Sequence, residues 1–244
     1  SLVGNYSDGK EEGSHKIYYN DGNICIDNYY KGGKLEGLNK WYFNNGRLMM
    51  EWNYNNGEAD GFYKVYYENG KLKAEGNYED GKPKGLCNVY HENGRLKAEN
   101  RHSSGKQDGA YKVYCENGQL QQECNYDAGE RDGLYKVYFE NGILQQEGNY
   151  KDGKQHGPYK VYFEDGKLKE EGFCQKGQLE GPRKGYFIQS GKVDFEQHFK
   201  EGKRDGLETY YYEDGKVKQE QNYKSDKSDG LLRSYYKNGQ LQIE

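Results

Sequence analysis

The sequence predicts an all-β protein: an elongated, single-layer antiparallel β-meander of about ten repeated hairpins, stacked in a solenoid-like array. Three observations lead there. An Asn-Gly or Asp-Gly style turn recurs at a fixed step, with glycines at 22, 46, 70, 94, 118, 142, 166, 191, 215 and 239. The step is 24 residues, except for one of 25 before Gly191, where "YFIQSG" carries an extra residue. The segments between turns alternate in polarity as strands do, and no window carries a helical period. Finally, the chain is only 32% hydrophobic but holds 27 Tyr and 35 Gly, a composition suited to half-wet surfaces rather than to a thick core.

Each repeat reads as two strands, such as Tyr63–Glu68 and Lys71–Tyr78, joined by Asn69-Gly70. An Asn-Gly pair between alternating residues predicts a two-residue type I′ turn, with positive φ at both positions. A second glycine series follows eleven residues after each turn (Gly33, Gly57, Gly81 and onward), and a third four residues later (Gly37, Gly85, Gly133). Both fall in seven-residue links such as "EDGKPKG" at Glu79–Gly85, giving about 20 strands. The register set by a two-residue turn puts Val65, Tyr67, Leu72, Ala74 and Tyr78 on one packing face. It also sets Gly76 opposite Tyr63 and Gly148 opposite Tyr135, so that a ring folds over each bare strand glycine.

The opposite face carries one tyrosine per repeat: Tyr18, Tyr42, Tyr66, Tyr90, Tyr114, Tyr138, Tyr162, Tyr186, Tyr211 and Tyr235. An acid recurs five places after each turn, as in Glu51, Glu75, Glu99 and Glu123. The register sets Lys64 beside Glu75, Lys112 beside Glu123 and Lys136 beside Glu147, each cross-strand pair contributing about 0.2–1 kcal/mol. Two roles fit this row. Stacked rings under charged stems stiffen a one-layer sheet. Rings in a row also offer contact area at low entropic cost, which makes Tyr42, Tyr66, Tyr90, Tyr114, Tyr138, Tyr162, Tyr186 and Tyr211 the candidate partner-binding face.

Charge narrows the function. With 36 Lys and Arg against 40 Asp and Glu, the net charge of −4 offers no bulk attraction to nucleic acid and no support for binding an anionic membrane. No apolar run reaches the roughly 18 residues of a membrane span, and no signal peptide is visible. The five Cys show no metal-ligand spacing and mildly favour a reducing compartment. Cys87 and His102 lie near enough for a diagonal contact, but they lack an orienting third group. His91 is four strand residues from Cys87, about 13 Å, too far to share a metal. No serine elbow or phosphate-cradling loop occurs, and the acids are spread one per repeat. The expectation is a non-enzyme with no catalytic residue, no cofactor and no metal.

The segments "NYKDGKQHGPYKVYFEDGKLKEEG" and "NYEDGKPKGLCNVYHENGRLKAE" resemble MORN repeats, in the longer bacterial variant of that family. Tyr150, Gly153, Gly157, Tyr162, Gly166 and Leu168 carry the resemblance, which recurs over essentially all of the chain. It implies β-hairpin arrays that act as scaffolds and protein-binding surfaces. It also implies, for many bacterial members, an antitoxin label of the YwqK type. Two departures stand out. Gly185 replaces the usual Val beside the 25-residue step, where a bulge or a longer turn and a kink near Tyr186–Gly191 are expected, and Asp226 replaces a loop glycine.

Residues 1–244 thus read as one array. It begins and ends inside a hairpin without a polar cap, as a fragment of a longer array would, which leaves the compartment open between bacterial cytoplasm and a secreted or surface location. The expected function is a non-catalytic scaffold for protein–protein interaction, antitoxin-like or a surface module. Exposed sheet edges would also allow edge-to-edge self-association. The alternatives are a glycan- or cell-wall-binding aromatic module, which the presence of only two Trp disfavours, and a passive spacer.

Overall fold

The computed structural model describes all residues, Ser1–Glu244, as 27 antiparallel strands in one open sheet without helices. By its contacts the chain divides into two units, Ser1–Leu120 with Tyr126–Gly129, and Gln121–Asn125 with Glu130–Glu244.

The hairpins occur where the glycine period puts them, but the turn types are exchanged. At Tyr67–Lys71 only Gly70 has positive φ (87°), and Asn69 does not. The Tyr67 N–H donates to the Lys71 carbonyl and the Tyr67 carbonyl accepts from Gly70, both at 2.8 Å. This is a three-residue loop, a type I turn closed by a left-handed glycine, rather than a type I′ turn. Asn69 is selected for another reason: its Oδ1 accepts the Lys71 N–H at 2.9 Å, closing an Asx turn. The extra loop residue shifts the register by one, so Leu72 pairs with Tyr66 rather than Tyr67. Beyond the shift the expected register holds, with Val65 opposite Ala74, Lys64 opposite Glu75 and Tyr63 opposite Gly76.

The type I′ turns lie in the links. Asp80 (φ 49°) and Gly81 (φ 70°) both adopt left-handed backbone, and Glu79 pairs with Lys82. The same occurs at Asp152-Gly153 (49° and 72°). Each link is therefore a second hairpin, which raises the strand count above the expected 20. Links also bond to one another: Gly81 N–H donates to the Ala59 carbonyl at 2.8 Å, and in the second unit Gly177 N–H donates to the Gln155 carbonyl at 2.8 Å. Asp226, in a glycine's place, holds φ 68°, and its Oδ1 accepts the Arg204 N–H at 2.9 Å.

The packing face is thin and largely polar. In the first unit Tyr63 lies over Gly76, Trp52 stacks on Tyr63 with centroids 4.7 Å apart, and Cys87 is buried beside them. Asn39 is fully buried, its amide accepting from Tyr29 N–H at 2.9 Å and donating to two carbonyls. In the second unit Tyr135 covers Gly148 and Tyr159 covers Gly172. The row then becomes ionic. Arg183 grips Glu170 through Nε (2.9 Å) and Nη2 (2.7 Å), Tyr159 donates to Glu170 at 2.7 Å, and Gln197 connects Arg183 to Glu208. Burial pushes the Glu170 carboxyl up, but the Arg183 guanidinium and Tyr159 hydroxyl outweigh it and hold it below the usual range. Gly185 is explained here, because the Phe195 ring lies against it where any Cβ would collide. The 25-residue step is absorbed in the turn, where Gly191 N–H reaches back to the Phe187 carbonyl at 2.9 Å and the register Gly185–Phe195 persists.

A Cβ at Gly148 would sit 2.7 Å from Tyr135 Cε1. Gly148→Val is therefore expected to destabilise the protein by about 1–3 kcal/mol, measured by urea unfolding. The same change at Gly70, a turn glycine with φ 87° and nothing within 4 Å of its Cβ position, would lose about 1 kcal/mol from backbone strain alone.

Candidate functional site

The tyrosine row forms the end of each hairpin's first strand, two residues past the Lys–Glu row on the same face. From Tyr66 onward its hydroxyls are not free: each donates to the acid fifteen residues earlier, in the preceding copy. In the first unit Tyr66 bonds Glu51 (3.1 Å), Tyr90 bonds Glu75 (2.6 Å) and Tyr114 bonds Glu99 (3.1 Å). In the second, Tyr138 bonds Glu123 (2.9 Å), Tyr162 bonds Glu147 (2.7 Å), Tyr186 bonds Glu171 (2.6 Å) and Tyr211 bonds Glu196 (3.4 Å). Tyr42 faces Asp27, one methylene shorter. Burial and then the Asp27 charge raise its hydroxyl's pKa. Burial, followed by the bonded Glu, pushes Tyr66, Tyr138, Tyr162 and Tyr186 up to about 12.

The acids receive lysines as well. Lys64 pairs in register with Glu75 and Lys136 with Glu147. Ammonium contacts form at Lys16–Asp27 (3.3 Å) and Lys184–Glu196 (2.7 Å), and Lys112 turns to Glu99 of the preceding copy at 3.5 Å.

Two further rows were not singled out in the sequence. Where a second tyrosine follows the ladder tyrosine, its hydroxyl donates to the next copy's ladder backbone: Tyr19 to the Tyr42 carbonyl, Tyr67 to Tyr90 and Tyr212 to Tyr235, each at 2.7 Å. His91 makes the same contact with Tyr114 at 2.8 Å. The Tyr-Tyr doublets were the signal for this row. The second row is apolar and exposed. Leu38 (39%), Phe62 (48%) and Leu86 (55%) in the first unit, and Leu134 (45%) and Leu207 (42%) in the second, follow the third glycine series. Phe62, Lys64 and Tyr66 alternate onto one face of the strand Glu58–Tyr66. The apolar row and the tyrosine row thus bracket the Lys–Glu row.

Cys87 lies across from Asn100, and His102 across from Gly85. His91 serves as a strand-end hydrogen-bonding residue. None of the five cysteines is in a disulfide.

The raised tyrosine pKa values carry a sign. A hydroxyl whose folded pKa exceeds the ordinary 10 stabilises the fold fully below pH 10 and loses that contribution as pH rises towards 12. Carbon-detected NMR titration of 13C-tyrosine protein should place Tyr138 and Tyr162 near 12. A midpoint at or below 10 would refute the Glu contacts. Tyr138→Phe should flatten part of the alkaline stability loss.

Comparison with known proteins completes the description. The MORN repeat variant model matches residues 35–56, 59–80, 107–128, 131–152, 155–173, 204–225 and 228–244. The internal stretches it passes over include 81–106, with Lys84 and His102, and 174–203, with Gly185 and the lengthened turn. No curated protein matches the chain. Among the solved structures that resemble it are TcdB2-TccC3 at 12% identity and TcdB2-TccC3-Cdc42 at 11%. Each match has a TM-score of 0.19 and covers 99% of this chain but 17% of the other, so the chain spans a small part of those proteins' length. Repeat modules of this kind are generally non-catalytic scaffolds. Matched in seven segments covering more than half of its residues, the chain belongs to the MORN repeat variant family.

Proposed function

We propose that this array is a non-catalytic scaffold that binds another protein through its tyrosine face. The exposed apolar row carries the reading. Folding does not require Leu38, Phe62 or Leu86 to be large and apolar, since the same position is Ser14 and Ala110 in other copies. A regularly spaced row of large exposed side chains marks an interaction surface better than single scattered ones do. The half-buried rings of Tyr42, Tyr66, Tyr90 and Tyr114, and of Tyr138, Tyr162, Tyr186 and Tyr211, form its second border. From Tyr66 to Tyr211 the hydroxyls are committed to the fold, so these rings would add contact area and not polar recognition. The Lys–Glu row between would set register with the partner. A toxin neutralised by the array is the version that the resemblance to the longer bacterial MORN repeats implies.

The test compares capture from source-organism lysate by the parent and by Phe62→Ser/Leu86→Ser. Serine already stands at that position in one copy, so the double variant should fold as the parent does, within about 1 kcal/mol, as circular dichroism melting would verify. A protein retained by the parent and lost by the variant is the expected result. Equal retention by both would overturn the assignment of this face. Binding on a glycan array with no captured protein would favour the glycan-binding alternative.

A further inference from the structure

The ten copies serve as controls for one another, and two links depart from the rest. Two residues into the second strand of the link hairpin, nearly every copy has an acid: Glu12, Glu36, Asp60, Asp108, Asp132, Glu180, Asp205 and Asp229. In several, the carboxylate accepts the backbone N–H of the left-handed turn residue in the following link. Glu12 meets Gly32 at 2.7 Å, Glu36 meets Asn56 at 2.9 Å and Glu180 meets Glu201 at 2.8 Å. Asp132 and Asp205 do the same at 3.4 and 3.3 Å. The acid is replaced in two copies, by Lys84 and by His156. A link cleft is present at each: one of about 510 Å³ that includes Lys84 and Ser104, and one of about 370 Å³ lined by Lys151, Asp152, Lys154, His156 and Lys176.

The two clefts differ in charge. Lys84 turns back onto Glu79 and is neutralised, and Glu79, Asp80 and Asp108 balance the cations there. The His156 cleft has three lysines against Asp152, and none of the three is in an ion pair. Lys151 and Lys154 are paired directly across the hairpin, a repulsive arrangement. Lys31–Lys34, Lys200–Lys203 and Lys224–Lys227 share that arrangement, but each has its acid two residues on. In this copy that position is His156, whose ring lies edge-on to Phe173 with centroids 6.4 Å apart. Lys176 also holds φ 52°, a conformation that Asn, Asp or Gly adopts more readily. Its own N–H receives no carboxylate.

We infer that the cleft formed by Lys151, Lys154, His156 and Lys176 is a binding site for a carboxylate from outside the chain, which takes the place of the missing acid against the Lys176 N–H and between the lysines. A carboxylate is chosen over larger anions because a carboxylate meets this same N–H in five other copies. Charge-assisted hydrogen bonds from ammonium and backbone N–H groups are the strong ones. The source would be an acidic segment of a protein partner, and that point rests on the scaffold reading, whereas occupancy of the cleft does not.

Backbone 1H–15N NMR of the full chain tests it, with acetylated tetraglutamate amide, its glutamine counterpart and inorganic phosphate as probes. The glutamate peptide should give saturable shifts at the Lys154 and Lys176 amides, and the glutamine peptide none. His156→Asp restores the acid of the other copies and should weaken the glutamate response at least about tenfold by filling the site. Lys176→Asn, also a residue found at that position, keeps the fold and should weaken it by a smaller factor. Absence of saturable shifts, an unchanged response in His156→Asp, or a response to phosphate without one to the glutamate peptide would each overturn the assignment. Phe62→Ser/Leu86→Ser protein should bind the glutamate peptide as the parent does, so failure of the tyrosine face and failure of the cleft are separable.

Discussion

A one-layer sheet has no second layer against which to bury itself, and this constraint governs almost every side chain in the protein. An ordinary sheet places one face on a core. Here each copy can be stabilised only by the copies before and after it. The chain answers with lateral bonds made at every level: link carbonyl to link N–H, ladder hydroxyl to the preceding acid, and doublet tyrosine to the following carbonyl. Tyrosine suits this role because its ring covers backbone while its hydroxyl spans the gap to a neighbour.

The same constraint accounts for the polar packing face. A thin layer cannot exclude water well enough to reward large aliphatic side chains, so self-satisfying groups take their place. Asn39 closes its own hydrogen bonds within the hairpin, and Tyr63 shields a strand glycine. Around Arg183 the second unit uses an ion pair with amide and phenol partners instead. Such a network tolerates partial burial only because every member is bonded. Its contribution is better sought in fixing the register of these copies than in raw stability.

Much of this was legible because repetition multiplies a weak signal. One Asn-Gly pair says little, but ten in register define the hairpins, and alternation from Tyr63 to Val65 then places Gly76 and Glu75 correctly. The turn type was misjudged because Asn-Gly is compatible with both I′ and type I geometry with a left-handed glycine. What separates them is the Asn69 side chain's bond to Lys71 N–H, which pair statistics do not encode. Links such as Glu79–Gly85 concealed hairpins because Asp80-Gly81 is flanked by charges, without the apolar alternation that identifies strands. The exposed row through Phe62 escaped notice for a related reason: an apolar residue after a glycine reads as core until burial is known. The ladder's bonds to Glu51 and Glu75 were out of reach, since sequence sets cross-strand neighbours but not which rotamer joins successive hairpins.

Repetition also separates structural from functional residues in a way that a single domain does not allow. A position filled alike in most copies is explained by the fold, because the fold is what the copies share. A departure is then either compensated nearby or is not. Gly185 is compensated by Phe195, and Asp226 by its bond to Arg204 N–H. Lys84 is compensated by Glu79. At His156 and Lys176 no carboxylate does this: the acid is gone and the three lysines stay outside any ion pair. Uncompensated cost kept in one copy out of ten is what a site serving something outside the array would leave behind.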